Sequence, residues 1–321
     1  MTSDAAVYVL HDNPEWIPPF ARAFAAEGVE LREWPLGTGT IDLDAAPPAG
    51  VFWSRLSASS HTRDAEGAKD AARATLTWLE SWGRRVVNGS AVTALEVSKV
   101  AQHAALRRAG FDVPRTIAVF GREGLKESAR SLEVPFITKH NQGGKGLGVR
   151  RFDRFEDFDA YVDGPDFEVA VDGITLLQEF LLSADTFVTR AEFIGGRFAY
   201  AVRVDTSAGG FELCPADACA VPENGVAAEP LFRLRTEVGP QHPLITQYEA
   251  FLAAHGVEIA GIEFMETRDG RTVTYDVNTN TNYSPDVEAG VDDPAGRRVA
   301  RFLGALLAEQ TAAAADVAAV R

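Results

Sequence analysis

The alternation of apolar and polar positions divides the chain into three stretches. In residues 1–88, AAVYVL (5–10), VELREW (29–34), GVFWSRL (50–56) and RRVVN (84–88) have the β-branched and aromatic density of strands. Residues 20–27 and 65–82 repeat apolar positions at helical spacing between them. That order predicts a small parallel α/β layer. Thr93 and Glu96 have capping-box spacing, which predicts the start of a helix that Gly110 closes. PRTIAVF and VPFITKHNQGGKGLGVRRF then predict short strands around a glycine-rich loop, in a second stretch covering 89–175. From about Leu176 onward the pattern is strand-rich and ends in a helix over 294–310, which makes 176–321 the third stretch.

Two hairpins in the third stretch carry the most chemistry. GIEFMETRDGRTVTYDVNTNTNY (261–283) turns at Asp269-Gly270, a dipeptide favoured in two-residue turns. Such a turn sets Glu263 opposite Asp276, with Asn278 on the same face and Ile262, Phe264, Tyr275 and Val277 on the other. Like charges directly opposite destabilise a sheet, and a hard cation with oxygen ligands offsets that cost; a solvated acidic face is the plain alternative. FVTRAEFIGGRFAYAVRV (187–204) turns at Gly195-Gly196. Its register sets Arg203 opposite Val188 and diagonal to Arg190, on one face with Glu192. Two guanidiniums there suit phosphate or carboxylate recognition, and a surface Arg–Glu–Arg ladder is the alternative.

The glycine loop places Gly143, Gly144, Gly146 and Gly148 between strand-like runs, where backbone N–H groups can approach phosphate oxygens. Lys145 is followed by Gly146, so this is not a Walker A loop, and the strand after it excludes a dinucleotide fingerprint. A flexible hairpin tip is the competing reading. Lys139 before the loop and Lys99 upstream supply candidate cations, although a helical lysine is usually solvated.

Composition narrows the class without naming it. With 321 residues, 46% hydrophobic and 24% charged, the chain reads as an ordinary globular protein. A formal charge of −15 argues against nucleic acid as the main partner. No apolar run reaches membrane-spanning length and no signal segment opens the chain, so a cytoplasmic protein with no membrane partner is expected. Cys214 and Cys219 are expected to be reduced, incidental thiols.

In order, VVNGSAVTALEVSK…LRRAGFDVPRT, VPFITKHNQGGKGLGV, LLQEFL, TRAEFIGGRFAYAVR and GIEFM…YDVNTN resemble the ATP-grasp superfamily, nearest its glutathione-synthetase-like and RimK-type carboxylate–amine ligases. The resemblance spans about 88–282. It implies a mixed α/β fold, α+β in its C-terminal part, with three lobes and the nucleotide held between two β-rich lobes. It also implies an ADP-forming ligase that makes an amide bond through an acyl-phosphate, on a small carboxylate and an amine such as an amino acid or peptide. ATP and Mg²⁺, with Mn²⁺ as a substitute, are the implied cofactors, and a homo-oligomer is compatible with it.

By the same resemblance, Lys99, Lys139 and the loop Gln142, Gly143, Gly144, Lys145 and Gly146 attend the ATP phosphates. Gln178, Glu179, Phe180 and Leu181 form the hinge strand whose exposed edge and Glu179 read adenine, and Asp185 lies near the ribose. Arg190 and Arg203 stabilise the transferred phosphoryl group, while Glu263, Asp276 and Asn278 hold the metal. The sequence departs from the family pattern after Asn278, where Pro-Gly is missing. Asn280, Asn282 and Tyr283 are therefore expected acceptor contacts. Arg55, at the C-terminal end of a predicted parallel strand, is expected to grip a substrate carboxylate, with Arg63 and His61 as its alternatives and surface salt-bridging as the plain reading of each. The rival functions are an ATP-grasp kinase acting on a hydroxyl and a nucleotide-binding regulator without turnover.

Overall fold

The computed structural model describes residues 5–63, 65–144, 146, 148–207 and 231–319. Lys145, Cys214 and Cys219 lie outside the described residues. The first layer is a parallel sheet in the order β2-β1-β3-β4, made of β1 (Ala6–His11), β2 (Leu31–Pro35), β3 (Gly50–Arg55) and β4 (Arg85–Val87). Helices α1 (Ile17–Ala26) and α2 (Ala68–Ser81) cover its two faces. Because strand side chains alternate, Val7, Val9, Val51 and Trp53 meet Phe20 and Phe24, while Tyr8, Leu10 and Phe52 meet Leu76 and Leu79. A strand covered on both faces is apolar throughout, which is why β1 reads as an unbroken run.

The capping-box spacing at Thr93 does not open a helix. Helix α3 (Ser90–Glu96) already runs through it, and the chain breaks and restarts as α4 (Lys99–Arg108). Ser98 caps that restart, its Oγ accepting from Ala101 N at 3.2 Å. The Glu96 carboxylate instead turns inward to Thr279. Gly110 takes a left-handed φ of 89° and ends the segment as expected.

The second sheet is antiparallel, with β5 (Thr116–Phe120), β6 (Phe136–His140), β7 (Arg150–Phe152) and β8 (Ile174–Glu179) in the order β5-β8-β6-β7. Helices α5 (Leu125–Ala129) and α6 (Phe155–Asp163) close one face over Phe136, Phe152 and Phe158. Strand β8 is interior, so residues on both sides of 175 share this sheet. Gln178 is consequently paired with Thr116 on one side and Ile137 on the other, and not on an exposed edge.

The third sheet contains β9 (Phe187–Ile194), β10 (Arg197–Asp205), β11 (Phe232–Leu234), β12 (Ile259–Glu266) and β13 (Thr272–Asn278), in the order β11-β10-β9-β12-β13. Helix α7 (Pro243–His255) packs on one face together with α3 and α4, around Leu106, Tyr248, Phe251, Phe193 and Phe264. After the short α8 (Pro285–Glu288), helix α9 (Ala295–Ala319) outruns the expected 294–310. Its Val299 and Leu303 join Val9, Trp53, Ile194 and Ile259 in one core, fastening the first layer to the third sheet.

Both hairpins hold a bulge that the hydrophobic pattern does not reveal. Gly195 and Gly196 make the expected two-residue turn, with φ of 62° and 69°. An irregularity between Phe198 and Tyr200 then shifts the pairing, so Arg190 faces Val202 and Arg203 faces Thr189. In the other hairpin, Thr267 pairs with Arg271 around a three-residue loop in which Gly270 has a φ of 85°. The expected two-residue turn is absent, but a bulge at Tyr275 restores the register, and Glu263 lies opposite Asp276.

Candidate active site

The second and third sheets and the first layer enclose a cleft of about 640 Å³. Strand β6 brings Lys139 to it, α4 brings Lys99, and β9, β12 and β13 bring Arg190, Glu263, Asp276 and Asn278. Gly143, Gly144, Gly146, Gln178, Glu179, Phe180, Leu181 and Asp185 also line it. The helix restart at Lys99 and the glycine loop are tied at their roots. Asn141 accepts from Lys99 N (3.2 Å) and Val100 N (2.9 Å), immediately after β6 ends.

Electrostatics make the centre of the cleft strongly polarised. Burial and the facing Asp276 both push the Glu263 carboxyl up. Burial is the largest influence on Asp276 and opposes its ionisation, but the hydrogen-bonded Lys99 ammonium together with Lys139 and His103 holds it below the usual range. Lys139 is pushed down to about 8, first by burial and then by Lys99. His103, behind the lysines, is pushed down to about 3 by burial and both ammonium groups, and is neutral at physiological pH. It accepts or donates at Thr116 Oγ1 (3.2 Å). Arg190 donates to Glu192 Oε1 (2.6 Å) and Asn282 O (3.0 Å), and Glu192 and Glu263 keep it protonated despite burial.

The donor set around Glu263 fits a hard divalent cation. Asn278 Nδ2 lies 3.4 Å from Glu263 Oε1, so the hairpin offers two carboxylates and an amide oxygen. Among the described residues no group of three or more His, Cys, Asp or Glu is arranged for a metal. Two carboxylates completed by phosphate oxygens and water are, however, the usual provision for Mg²⁺.

Several expected residues stand elsewhere. The shifted register turns Arg203 to the opposite face of the sheet, where it pairs with Glu237 and covers the Phe187 ring at 4.7 Å. Gln142 does not line the cleft; its amide oxygen is held by Lys69. The Glu179 side chain does not point at a base either. It accepts from Arg115 N (2.9 Å) and from Arg271 Nη1 and Nη2 (3.1 and 3.2 Å), and the chain leaves the sheet at Phe180 and Leu181. Arg55 is fully buried behind the 280–282 loop, and Tyr283 packs on Phe20. Asn280 and Asn282 do line the cleft. Arg63 pairs with Asp12 (2.6 Å), and His61 Nδ1 lies 3.1 Å from Lys69 Nζ.

Other lining residues escaped the sequence reading. Tyr275, expected in the core, is swung by its bulge to the cleft beside Met265, and Thr274 takes the core position against Tyr248. Glu96 fixes the chain after β13 by receiving Thr279 N (2.7 Å) and Oγ1 (2.9 Å). Gly261 makes room for Arg190 and Glu192: a Cβ there would lie 3.1 Å from Arg190 Cδ and 3.0 Å from Glu192 Oε2. A glycine inside a strand was the available signal for this close approach.

No family model matches the chain, and no curated protein matches it. Solved structures do. A RimK-domain ATP-grasp protein from Sphaerobacter thermophilus superposes with a TM-score of 0.64 over 93% of this chain and 99% of its own, at 20% identity. The chain has the ATP-grasp fold. The ATP-grasp ligase PsnB, complexed with minimal precursor, is similar over 94% of this chain and 99% of its own (TM-score 0.64, 16% identity). D-alanine–D-alanine ligase from Bacillus anthracis, complexed with ATP, is similar over 97% and 99% (TM-score 0.66, 13% identity). At these identities the likeness is one of ATP-grasp architecture, and the chemistry has to be argued from the cleft.

Proposed function

We propose that this chain is an ATP-dependent carboxylate–amine ligase that forms ADP, phosphate and an amide. The carrying observation is the convergence of Lys139, Lys99, Arg190, Glu263 and Asp276 in one cleft between two sheets. Phosphoryl transfer asks a protein for positioning and charge neutralisation more than for covalent chemistry, and this set supplies both. ATP is the substrate it fits, its adenine against Phe180 and Leu181 and its phosphates under Gly143, Gly144 and Gly146.

In the first half-reaction a carboxylate oxygen bonds to the γ-phosphorus and the bond to the ADP oxygen breaks. The two lysines hold the phosphate charge, and Arg190 faces the group in transfer. Glu263, Asp276 and Asn278 would hold Mg²⁺, which supplies neutralisation of phosphate charge when bound. In the second half-reaction an amine nitrogen bonds to the acyl carbon as phosphate leaves, and the amine gives up its proton. The glycine loop screens the acyl-phosphate from water, and Gly144 lies against Ser59 of the first layer, where a Cβ would be 3.4 Å from its Oγ, in ordinary contact.

Small acids and amines, including amino acids and peptide ends, are the substrate class this reading assigns. ADP release should require a carboxylate and an amine together when pools of each are supplied with ATP and Mg²⁺. Release driven by a hydroxyl compound alone would replace the ligase with a kinase, and AMP formation would contradict the phosphoryl-transfer scheme.

A further inference from the structure

Arg55 ends β3 with no exposed surface, and no carboxylate pairs with it among the described residues. Its guanidinium lies against the Phe20 and Trp53 rings, at 4.4 and 5.0 Å. Its Nε and Nη2 protons go to the 280–282 loop, while Nη1 has no hydrogen-bond partner among the described residues. Nε and Nη2 donate to Asn280 Oδ1 (3.0 and 2.7 Å), and Nη2 also donates to Thr281 O (3.0 Å) and Asn282 Oδ1 (2.8 Å).

A guanidinium has donors and no acceptor. The atom that each asparagine turns toward it is therefore the amide oxygen, a conclusion that does not depend on how an amide happens to be drawn. Each Nδ2 must then point away from Arg55. Neither Nδ2 donates to a protein acceptor among the described residues, and both asparagines line the cleft. The neighbouring cation, Arg63, is paired with Asp12; Asp12 also acts on Arg55 but makes no ion pair with it, so the Arg55 charge at this end is only partly offset. Two N–H donors on cleft-lining residues in front of a buried cation suit an oxygen anion.

We propose that Asn280 and Asn282 receive a substrate carboxylate through their Nδ2 groups. Arg55 is the positioning residue that fixes both amides and never touches the ligand. The inference rests on the ligase reading and gives it a carboxylate subsite. That carboxylate is either the reacting one or a second one carried by the amine substrate, and both present the same chemistry.

The discriminating variants are Asn280→Asp and Asn282→Asp. Each sets a carboxylate against Arg55, so the melting temperature holds or rises, while an oxygen replaces the N–H donor facing the cleft. Binding is read without turnover, by saturation-transfer NMR on the full chain with Mg²⁺, a non-hydrolysable ATP analogue, and acetate or acetamide as probe. Acetate should bind the parent protein and weaken ~10-fold or more in either variant, the scale of a hydrogen bond to a charged group, with acetamide unaffected. Arg55→Lys, which keeps the charge but cannot hold both amides, should also weaken acetate. No acetate signal in the parent protein, or equal signals in parent and variants, overturns the proposal. If ADP release is found, the two sources separate kinetically. KM rising for free amino-acid acceptors but not for their amides marks the acceptor's carboxylate; KM rising only for the carboxylate donor marks the reacting one. KM values unchanged for both overturn the subsite. Acetate binding without any ADP release would remove the ligase reading and still support the carboxylate site.

Discussion

Arg190 and Arg203 show how much one residue of register decides. Both lie in one hairpin, and a strict two-residue turn carries them to the same face. The irregularity between Phe198 and Tyr200 separates them, leaving Arg190 in the cleft and Arg203 on the far side. Arg190→Ala should lower the rate of ADP formation by about 10²-fold or more, as loss of a preorganised charge stabiliser does. Arg203→Ala should stay within about 2-fold, since exposed ion pairs contribute little; steady-state ADP release with each variant checks both. Lys139 gives a pH signature. Its pKa is pushed down to about 8 in the free protein, first by burial and then by Lys99. The charged form is complete below that value and is lost as pH rises through it, so ATP affinity should be flat at neutral pH. Above pH 8 it should weaken, by up to ~10-fold per pH unit because binding takes up one proton. Titrating ATP binding between neutral and alkaline pH tests this, and affinity that improves above pH 8 contradicts it.

At the scale of elements, the parallel layer, the glycine loop and the two hairpins were legible because period-two alternation and Gly-Gly or Asp-Gly turns leave clear marks. Bulges leave none, since one extra residue in a strand keeps the composition and moves only the phase. In 261–283 the loop is one residue longer than expected and the bulge at Tyr275 adds one back, so Glu263 still meets Asp276. The pairing of Glu263 with Asp276 was therefore anticipated correctly by a register that is wrong between the bulge and the turn, where Thr274, Val273 and Thr272 face Phe264, Met265 and Glu266. Glu96 was misread for a related reason: a Thr-x-x-Glu spacing looks the same at the start of a helix and at its end. Close strand approach also yields a test. Gly261 lies beside Glu192 in the pairing of β12 with β9, and Gly261→Ala would press on Arg190 and Glu192. It should cost about 1–3 kcal/mol of stability and lower kcat more than the KM for ATP, as chemical unfolding and kinetics would reveal.

Across the whole molecule, the cleft depends on surfaces from all three sheets, and no single sheet holds a complete site. Among the described residues no helix is long and apolar enough to cross a membrane. The core that fastens the first layer to the third sheet runs through α9, whose Leu303 has no exposed surface. Leu303→Ala should cost about 2–5 kcal/mol. Because Val9, Trp53, Ile194 and Ile259 share that core, the loss should lower one cooperative transition, seen as a single calorimetric peak at lower temperature. A separate early transition of the first layer would contradict a shared core.

That shared core also sets an order of events during synthesis. Val7, Val9, Val51 and Trp53 are made together with α1, but the helix that completes their cover with Val299 and Leu303 follows more than two hundred residues later. Non-local closure of this kind is slow and leaves apolar surface open meanwhile. The nascent first layer therefore waits with the part of this face that α1 leaves open uncovered until α9 leaves the ribosome, an interval in which a chaperone has a defined patch to hold.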